Sequence, residues 1–233
     1  MLEKSLLMPA MCQSIRQGPK TGAENRELNM AVVDYYFFGG SPFVYLGHQA
    51  LLALAARHDV ELNYKPVNLM ALWDVSGAVP PPKRPPVRQR YRLLELQRVA
   101  ELRELPINLA PKHFPVDVSL ADQAVIALVE AGKDPAAYMQ KVFAGVWAED
   151  RDLSDSNVIA GLLKDCGFDA ADILARAASP DVVATREKNS EEAIAADAIG
   201  VPAYVLNGEV FWGQDRLELL EHALKTGRKP YKA

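Results

Sequence analysis

YYFFGGSPFVYLGHQALLALAARH, from Tyr35 to His58, is the stretch whose reading decides the fold. An apolar, β-rich run stops at two glycines, a serine and a proline; apolar residues then return at helical spacing. The first half predicts a strand over Ala31–Phe38 buried on both faces. The second predicts a helix over Pro42–His58 that turns Phe43, Leu46, Ala50, Leu51 and Leu54 inward. Ser41 marks the joint, with helix N-cap chemistry, and Pro42 suits the first helical position. Val60–Val67 (VELNYKPV) alternates like a second strand. Strand, helix and strand together have the length of a right-handed parallel crossover.

Outward from this unit, Asn68 to Val87 is predicted as a loop. Gly77 and the run Pro80-Pro81-Pro82-Lys83-Arg84-Pro85-Pro86 favour a semi-rigid extended connection there. Helices are then expected over Arg88–Leu105, Leu120–Ala131, Pro135–Trp147, Ser156–Cys166, Ala170–Ala177 and Pro180–Asp197. Pro106 and Pro111 punctuate the first gap, and Asp155 or Ser156 and Asp169 are candidate N-caps. Strands return at Pro202–Leu206 and Glu209–Phe211 around Asn207-Gly208, the strongest short hairpin signal. A last helix runs from about Asp215 to Thr226 and ends near Gly227. The order β-α-β, helices, β-β-α predicts an α/β thioredoxin-like fold with an inserted all-helical domain. Residues 30–87 and 198–233 form the thioredoxin-like part, 88–197 the insert, and 1–29 a disordered N-terminal tail.

Composition removes several function classes. The chain has 233 residues, 49% hydrophobic and 24% charged, which is ordinary for a globular protein. A net charge of −4 argues against a dedicated nucleic-acid binder. No apolar run approaches the roughly 18 residues of a membrane helix. Residues 1–29 lack the apolar core of a secretory signal. Cys12 and Cys166 are far apart, so no structural disulfide is expected, and the sparse cysteine usage fits a reducing, cytoplasmic setting. His48, His58, His113 and His222 make no metal-ligand spacing, so no metal site is expected.

Three motifs carry candidate chemistry. Ser41 stands at the carboxyl end of a central strand, where open α/β sheets bind ligands. A helix N-terminus there offers free N–H groups and positive potential, and Gly39-Gly40 removes side chains from the approach. No G-x-S-x-G elbow or local base activates Ser41 as a nucleophile. Its hydroxyl is better suited to donating a hydrogen bond to a thiolate supplied from outside, with simple helix capping as the alternative. In Gly200-Val201-Pro202-Ala203-Tyr204, Pro202 stands where thioredoxin-like folds carry a cis-proline. A cis bond would turn the Val201 N–H and C=O toward a peptide-like ligand; a trans, strand-starting proline is the alternative. In Phe211-Trp212-Gly213-Gln214-Asp215-Arg216-Leu217, Gln214 and Asp215 form an acceptor pair for an α-ammonium group. Arg216 either binds a carboxylate or pairs with Glu218 or Asp215. Tyr45, with Phe43, Trp73, Phe143 and Trp147, is a candidate wall for an aromatic substrate.

DYYFFGGSPFVYLG (Asp34–Gly47), RQRYRLLELQRVAELRELPI (Arg88–Ile107) and GVPAYVLNGEVFWGQDRLELL (Gly200–Leu220), in this order, resemble the 2-hydroxychromene-2-carboxylate isomerase family. That family lies in the DsbA-like branch of the thioredoxin superfamily, related to kappa-class glutathione transferases. The resemblance implies bound glutathione, with Ser41 stabilising its thiolate, Val201 beside Pro202 pairing with the cysteinyl backbone, and Gln214 and Asp215 holding the γ-glutamyl end. Arg88 stands where a basic residue assists, with Lys83 and Arg84 as competitors. The same cations are the expected partners of a substrate carboxylate. The implied reaction converts 2-hydroxychromene-2-carboxylate to trans-o-hydroxybenzylidenepyruvate, in a homodimer, with the nucleophile on the cofactor. Related sequences commonly have Gly-Asn ahead of the proline-rich loop. Here the residues are Gly77-Ala78, so Ala78 supplies no amide. A kappa-type glutathione transferase or peroxidase shares the same site, and a non-catalytic binding module is the alternative from another class. A dithiol oxidoreductase is disfavoured because neither cysteine is near Ser41.

Overall fold

The computed structural model describes residues 30–232. The expected tail 1–29, with Cys12, lies outside these residues. Strand β1 (Val32–Phe37), helix α1 (Pro42–His58) and strand β2 (Glu61–Pro66) form the opening unit, with β1 and β2 parallel. Helices α2 (Leu69–Ser76), α3 (Pro86–Leu102), α4 (Ser119–Glu130), α5 (Ala136–Trp147), α6 (Ser156–Asp165), α7 (Ala170–Ala177) and α8 (Pro180–Ala195) follow. The hairpin β3 (Ala203–Leu206) and β4 (Glu209–Trp212) leads into α9 (Leu217–Thr226). The sheet order is β2-β1-β3-β4, with β3 antiparallel to both β1 and β4. This is the thioredoxin-like α/β fold, carrying its helices between β2 and β3.

β1 is central because both its faces are covered. Val33, Tyr35 and Phe37 are buried on one side and Tyr36 on the other. Tyr35 pairs in register with Tyr64 of β2 and Tyr204 of β3, with ring centroids 6.2 and 5.6 Å away. Phe143 of α5 meets Phe37 at 5.8 Å and His48 of α1 at 5.2 Å, so the sheet, α1 and α5 share one core. The hairpin turn needs a left-handed backbone at both central positions. Asn207 and Gly208 supply it with φ of 52° and 82°.

Most element ends lie within one to three residues of expectation, and the larger departure is between β2 and α3. The segment predicted as a loop over 68–87 contains helix α2 and a 3₁₀ turn at Pro81–Lys83. The Asn68 side chain caps α2 by accepting the Met70 N–H, and Gly77 ends it at φ 70°. Eight residues give too few turns for a periodic signal, but the caps at either end were readable. Helix α3 starts at Pro86 rather than Arg88, with proline in the position that needs no N–H donor. Among the described residues no helix is long and apolar enough to cross a membrane.

Candidate functional site

After β1 the chain turns sharply, and the Ser41 N–H donates to the Phe38 carbonyl at 2.9 Å. Ser41 then caps α1 with φ −86° and ψ 124°. Its carbonyl accepts the Tyr45 N–H at 3.1 Å, and its hydroxyl oxygen accepts the Val44 N–H at 3.4 Å. The hydroxyl proton is given to no group among the described residues. The residue is 7% exposed. A nearly buried hydroxyl with an uncommitted proton therefore sits at the positive end of a 17-residue helix.

The glycines ahead of it do something other than clear a ligand's approach. A Cβ on Gly39 would stand 2.6 Å from the Asp122 Oδ1, and one on Gly40 would stand 2.7 Å from the Phe38 ring. The space they leave is filled by the protein itself. Asp122, on α4, was not singled out by the sequence reading. Its carboxylate accepts the Gly39 N–H at 3.1 and 3.4 Å. Nothing local in ADQAV reveals a carboxylate destined for the core.

The Val201–Pro202 bond is cis. The β1–β3 register ends at Tyr36 paired with Ala203, the residue after Pro202. The Val201 N–H and C=O make no backbone hydrogen bond among the described residues, while the Pro202 carbonyl accepts the Gly213 N–H at 2.8 Å. Val201 thus keeps a donor and an acceptor without backbone partners among the described residues, the groups a strand-like ligand would use.

Gln214 and Asp215 lie on a 3₁₀ turn at Gln214–Arg216, where their side chains diverge. Gln214 is buried, and a Cβ on Gly47 of α1 would stand 2.7 Å from its Cβ. The Asp215 side chain is 59% exposed and pairs with Arg216 at 2.6 Å. Of the partners considered for Arg216, Asp215 is the one it has.

The basic loop gathers more charge than expected. Arg84 is half-buried with its Nε donating to the Val79 carbonyl at 2.6 Å, whereas Lys83 and Arg88 are exposed. Arg92, one turn beyond Arg88, is half-buried with its guanidinium 6.0 Å from the Phe43 ring centroid. Burial and then the charge of Arg88 lower the Arg84 pKa; burial and then Arg84 lower that of Arg92. No ion pair joins Lys83, Arg84, Arg88 or Arg92 to a carboxylate among the described residues. Arg92 therefore brings a charge with no carboxylate partner among the described residues against Phe43, two residues from Ser41. The i, i+4 spacing of Arg88 and Arg92 was the sequence signal for the missed residue.

Tyr45 corrects an expectation. It is 1% exposed, and its hydroxyl donates to the Pro106 carbonyl at 2.8 Å, so it braces the loop after α3 instead of lining an open pocket. Phe143 and Trp147 are likewise core residues, while Phe43 and Trp73 are only half-buried. No cluster of metal-ligating side chains occurs among the described residues. An open cavity of about 590 Å³ along β4, lined by Phe211, Trp212, Arg216 and Tyr231 among others, includes neither Ser41 nor Arg84, Arg88 and Arg92. The chemistry is concentrated at the α1 N-terminus.

A model of the DSBA-like thioredoxin domain matches residues 32–225. The chain is 29% identical over 194 residues to the 2-hydroxychromene-2-carboxylate isomerase of Sphingobium xenophagum, covering 82% of this chain and 97% of that one. To the enzyme of the same name from Pseudomonas putida it is 30% identical over 196 residues, covering 83% and 94%. A solved structure of 2-hydroxychromene-2-carboxylate isomerase superposes with a TM-score of 0.71 at 27% identity, over 84% of this chain and 95% of the other.

Proposed function

The chain belongs to the DSBA-like thioredoxin domain family and, within it, to the 2-hydroxychromene-2-carboxylate isomerase family; from that premise we propose that it is a glutathione-dependent isomerase of 2-hydroxychromene-2-carboxylate. The observation that carries the proposal is the Ser41 hydroxyl, which accepts one N–H and keeps its own proton free at the head of α1.

The residues present fit glutathione. The Val201 N–H and C=O, without backbone partners among the described residues, suit the cysteinyl backbone. The Gln214–Arg216 turn offers acceptors to an α-ammonium group, with Asp215 open to solvent and Gln214 packed on Gly47. Ala78 contributes no amide, so this binding rests on fewer side chains than in relatives with asparagine there. Bound glutathione supplies a thiolate, a nucleophile that the β1–α1 joint itself lacks.

The protein's part is to keep that sulfur ionised and to hold the substrate. An ordinary thiol has a pKa of about 8.5, and donors and dipoles aimed at the sulfur lower it. Ser41 would donate a hydrogen bond to the sulfur, and the positive end of the α1 dipole would add to the effect. Arg84, Arg88 and Arg92 attract the substrate carboxylate, with Phe43 beside Arg92 offering an apolar surface to its aromatic ring.

The test is a paired assay on purified protein with the chromene carboxylate. The expected result is an absorbance change that requires glutathione and leaves its concentration unchanged. Stoichiometric loss of glutathione would make the protein a transferase instead. Full activity without glutathione would remove the cofactor from the account.

A further inference from the structure

Asp122 is a carboxylate in a place where an apolar side chain would be cheaper. It is 1% exposed, on α4, inside the shared core. Burying a charge is costly unless it is paired and hydrogen-bonded, and replacement of such groups by apolar residues is often neutral or stabilising. Stability alone therefore gives no reason for a carboxylate here.

Its contacts all lead to the turn that presents Ser41. Both oxygens take the Gly39 N–H, at 3.1 and 3.4 Å. Arg186 of α8 stands 3.6 Å from Oδ2, and its guanidinium also donates to the Val67 carbonyl at 3.1 Å. Val67 in turn donates its N–H to Phe37, the last residue of β1, at 2.9 Å. The chain of contacts runs from Gly39 through Asp122 and Arg186 back to the end of β1, so it ties the turn to the strand that leads into it. The absent side chain at Gly39 completes the fit, since a Cβ there would lie 2.6 Å from Oδ1. Asp117, before α4, and Tyr138 of α5 are the other titratable groups in its field.

We infer that Asp122 is the positioning residue of the site: it anchors the Gly39 amide and so fixes the Gly39-Gly40-Ser41 turn that aims the serine hydroxyl. The inference rests on the glutathione reading above for its consequence, but the anchoring itself does not. A residue that only filled space would affect melting and nothing else.

The experiment compares the parent with Asp122→Leu, Gly39→Ala and the double variant by two readouts. Amide hydrogen exchange at Gly39 is measured in glutathione-free protein, and thiol ionisation of added glutathione is followed by thiolate absorption. In Asp122→Leu the Gly39 amide is expected to exchange at least about tenfold faster, the size of one charge-assisted hydrogen bond. The thiol pKa of bound glutathione should rise toward the free value. Gly39→Ala should reproduce the ionisation defect in the parent yet add little in Asp122→Leu, because the amide it displaces is no longer anchored there. Parent-like exchange and ionisation in Asp122→Leu overturn the inference, even if its melting temperature falls. If Asp122→Leu does not fold, Gly39→Ala decides, and parent-like ionisation there overturns it. A parent that leaves the glutathione thiol unperturbed removes the glutathione reading, and Gly39 exchange then judges the anchor alone.

Discussion

The Ser41 hydroxyl oxygen accepts the Val44 N–H at 3.4 Å and gives its own proton to no group among the described residues. The long contact marks a weak cap, so the hydroxyl is committed to the helix on one side only. Replacement by alanine therefore separates two contributions. Ser41→Ala should cost about 1 kcal/mol of stability, the ordinary value of an N-cap side chain. Turnover should fall by about a hundredfold, as when one preorganised donor to a developing or resting anion is removed. Ser41→Thr, which keeps the hydroxyl, should recover most of both. Thermal melts and steady-state kinetics on the three proteins check this.

Arg92 lies where a carboxylate bound over the first turn of α1 would meet it, beside Phe43. Arg92→Met keeps the stem and removes the charge. The KM for a carboxylate substrate should rise about tenfold with kcat little changed, the pattern of a ground-state binding contact. Added salt should raise KM in the parent more than in the variant, because the attraction it screens is present only in the parent. Equal salt sensitivity in both proteins would remove Arg92 from substrate binding.

Gly47 allows α1 to lie against the Gln214 turn, since a Cβ there would stand 2.7 Å from the Gln214 Cβ. Gly47→Ala should push that turn away at a cost of about 1–3 kcal/mol in stability. Glutathione should bind more weakly, whereas cysteinylglycine, which lacks the γ-glutamyl end, should bind as before. Equal weakening of both ligands would show that the turn does not hold that end.

Two buried groups give opposite pH dependences. Burial lifts the Asp122 carboxyl to about 7, although Arg186 and the Gly39 amide pull the other way. Burial pushes the His48 imidazole down to about 4, against the Ala136 carbonyl and Asp134. From about pH 4 to about pH 7 the folded protein holds a proton on Asp122 that the unfolded chain has released, so this group's stability contribution falls as pH rises. From about pH 4 to about pH 6.5 the unfolded chain holds a proton that folded His48 has lost, so its contribution rises with pH. Asp122→Asn should therefore gain stability relative to the parent as pH rises through the first window. His48→Gln should lose stability relative to the parent as pH rises through the second. Melting midpoints across the range measure both. A parent that gains on Asp122→Asn with rising pH would mean that the attraction to Arg186 outweighs burial.

What could be read in the sequence was what local chemistry writes there. Ser41-Pro42 announced a helix start, Asn207-Gly208 a hairpin, and the order of strands around the helices the thioredoxin-like frame. The place of Pro202 in that frame left its bond open between cis and trans, and the bond is cis. Contacts between distant segments left no such mark. Asp122 reaches Gly39 across 83 residues of chain, and no local pattern distinguishes it from a surface aspartate. Tyr45 went astray for the same reason. Its helical position fitted a pocket wall, but whether its hydroxyl meets a ligand or the Pro106 carbonyl depends on where the loop after α3 runs in space.

The most direct test is the ionisation of glutathione in the complex, followed by thiolate absorption against pH for the parent and for Ser41→Ala. The account predicts that the parent lowers the thiol pKa well below its free value, and that Ser41→Ala returns most of the shift while still binding the tripeptide. An equal lowering in both proteins, or none in the parent, would contradict it.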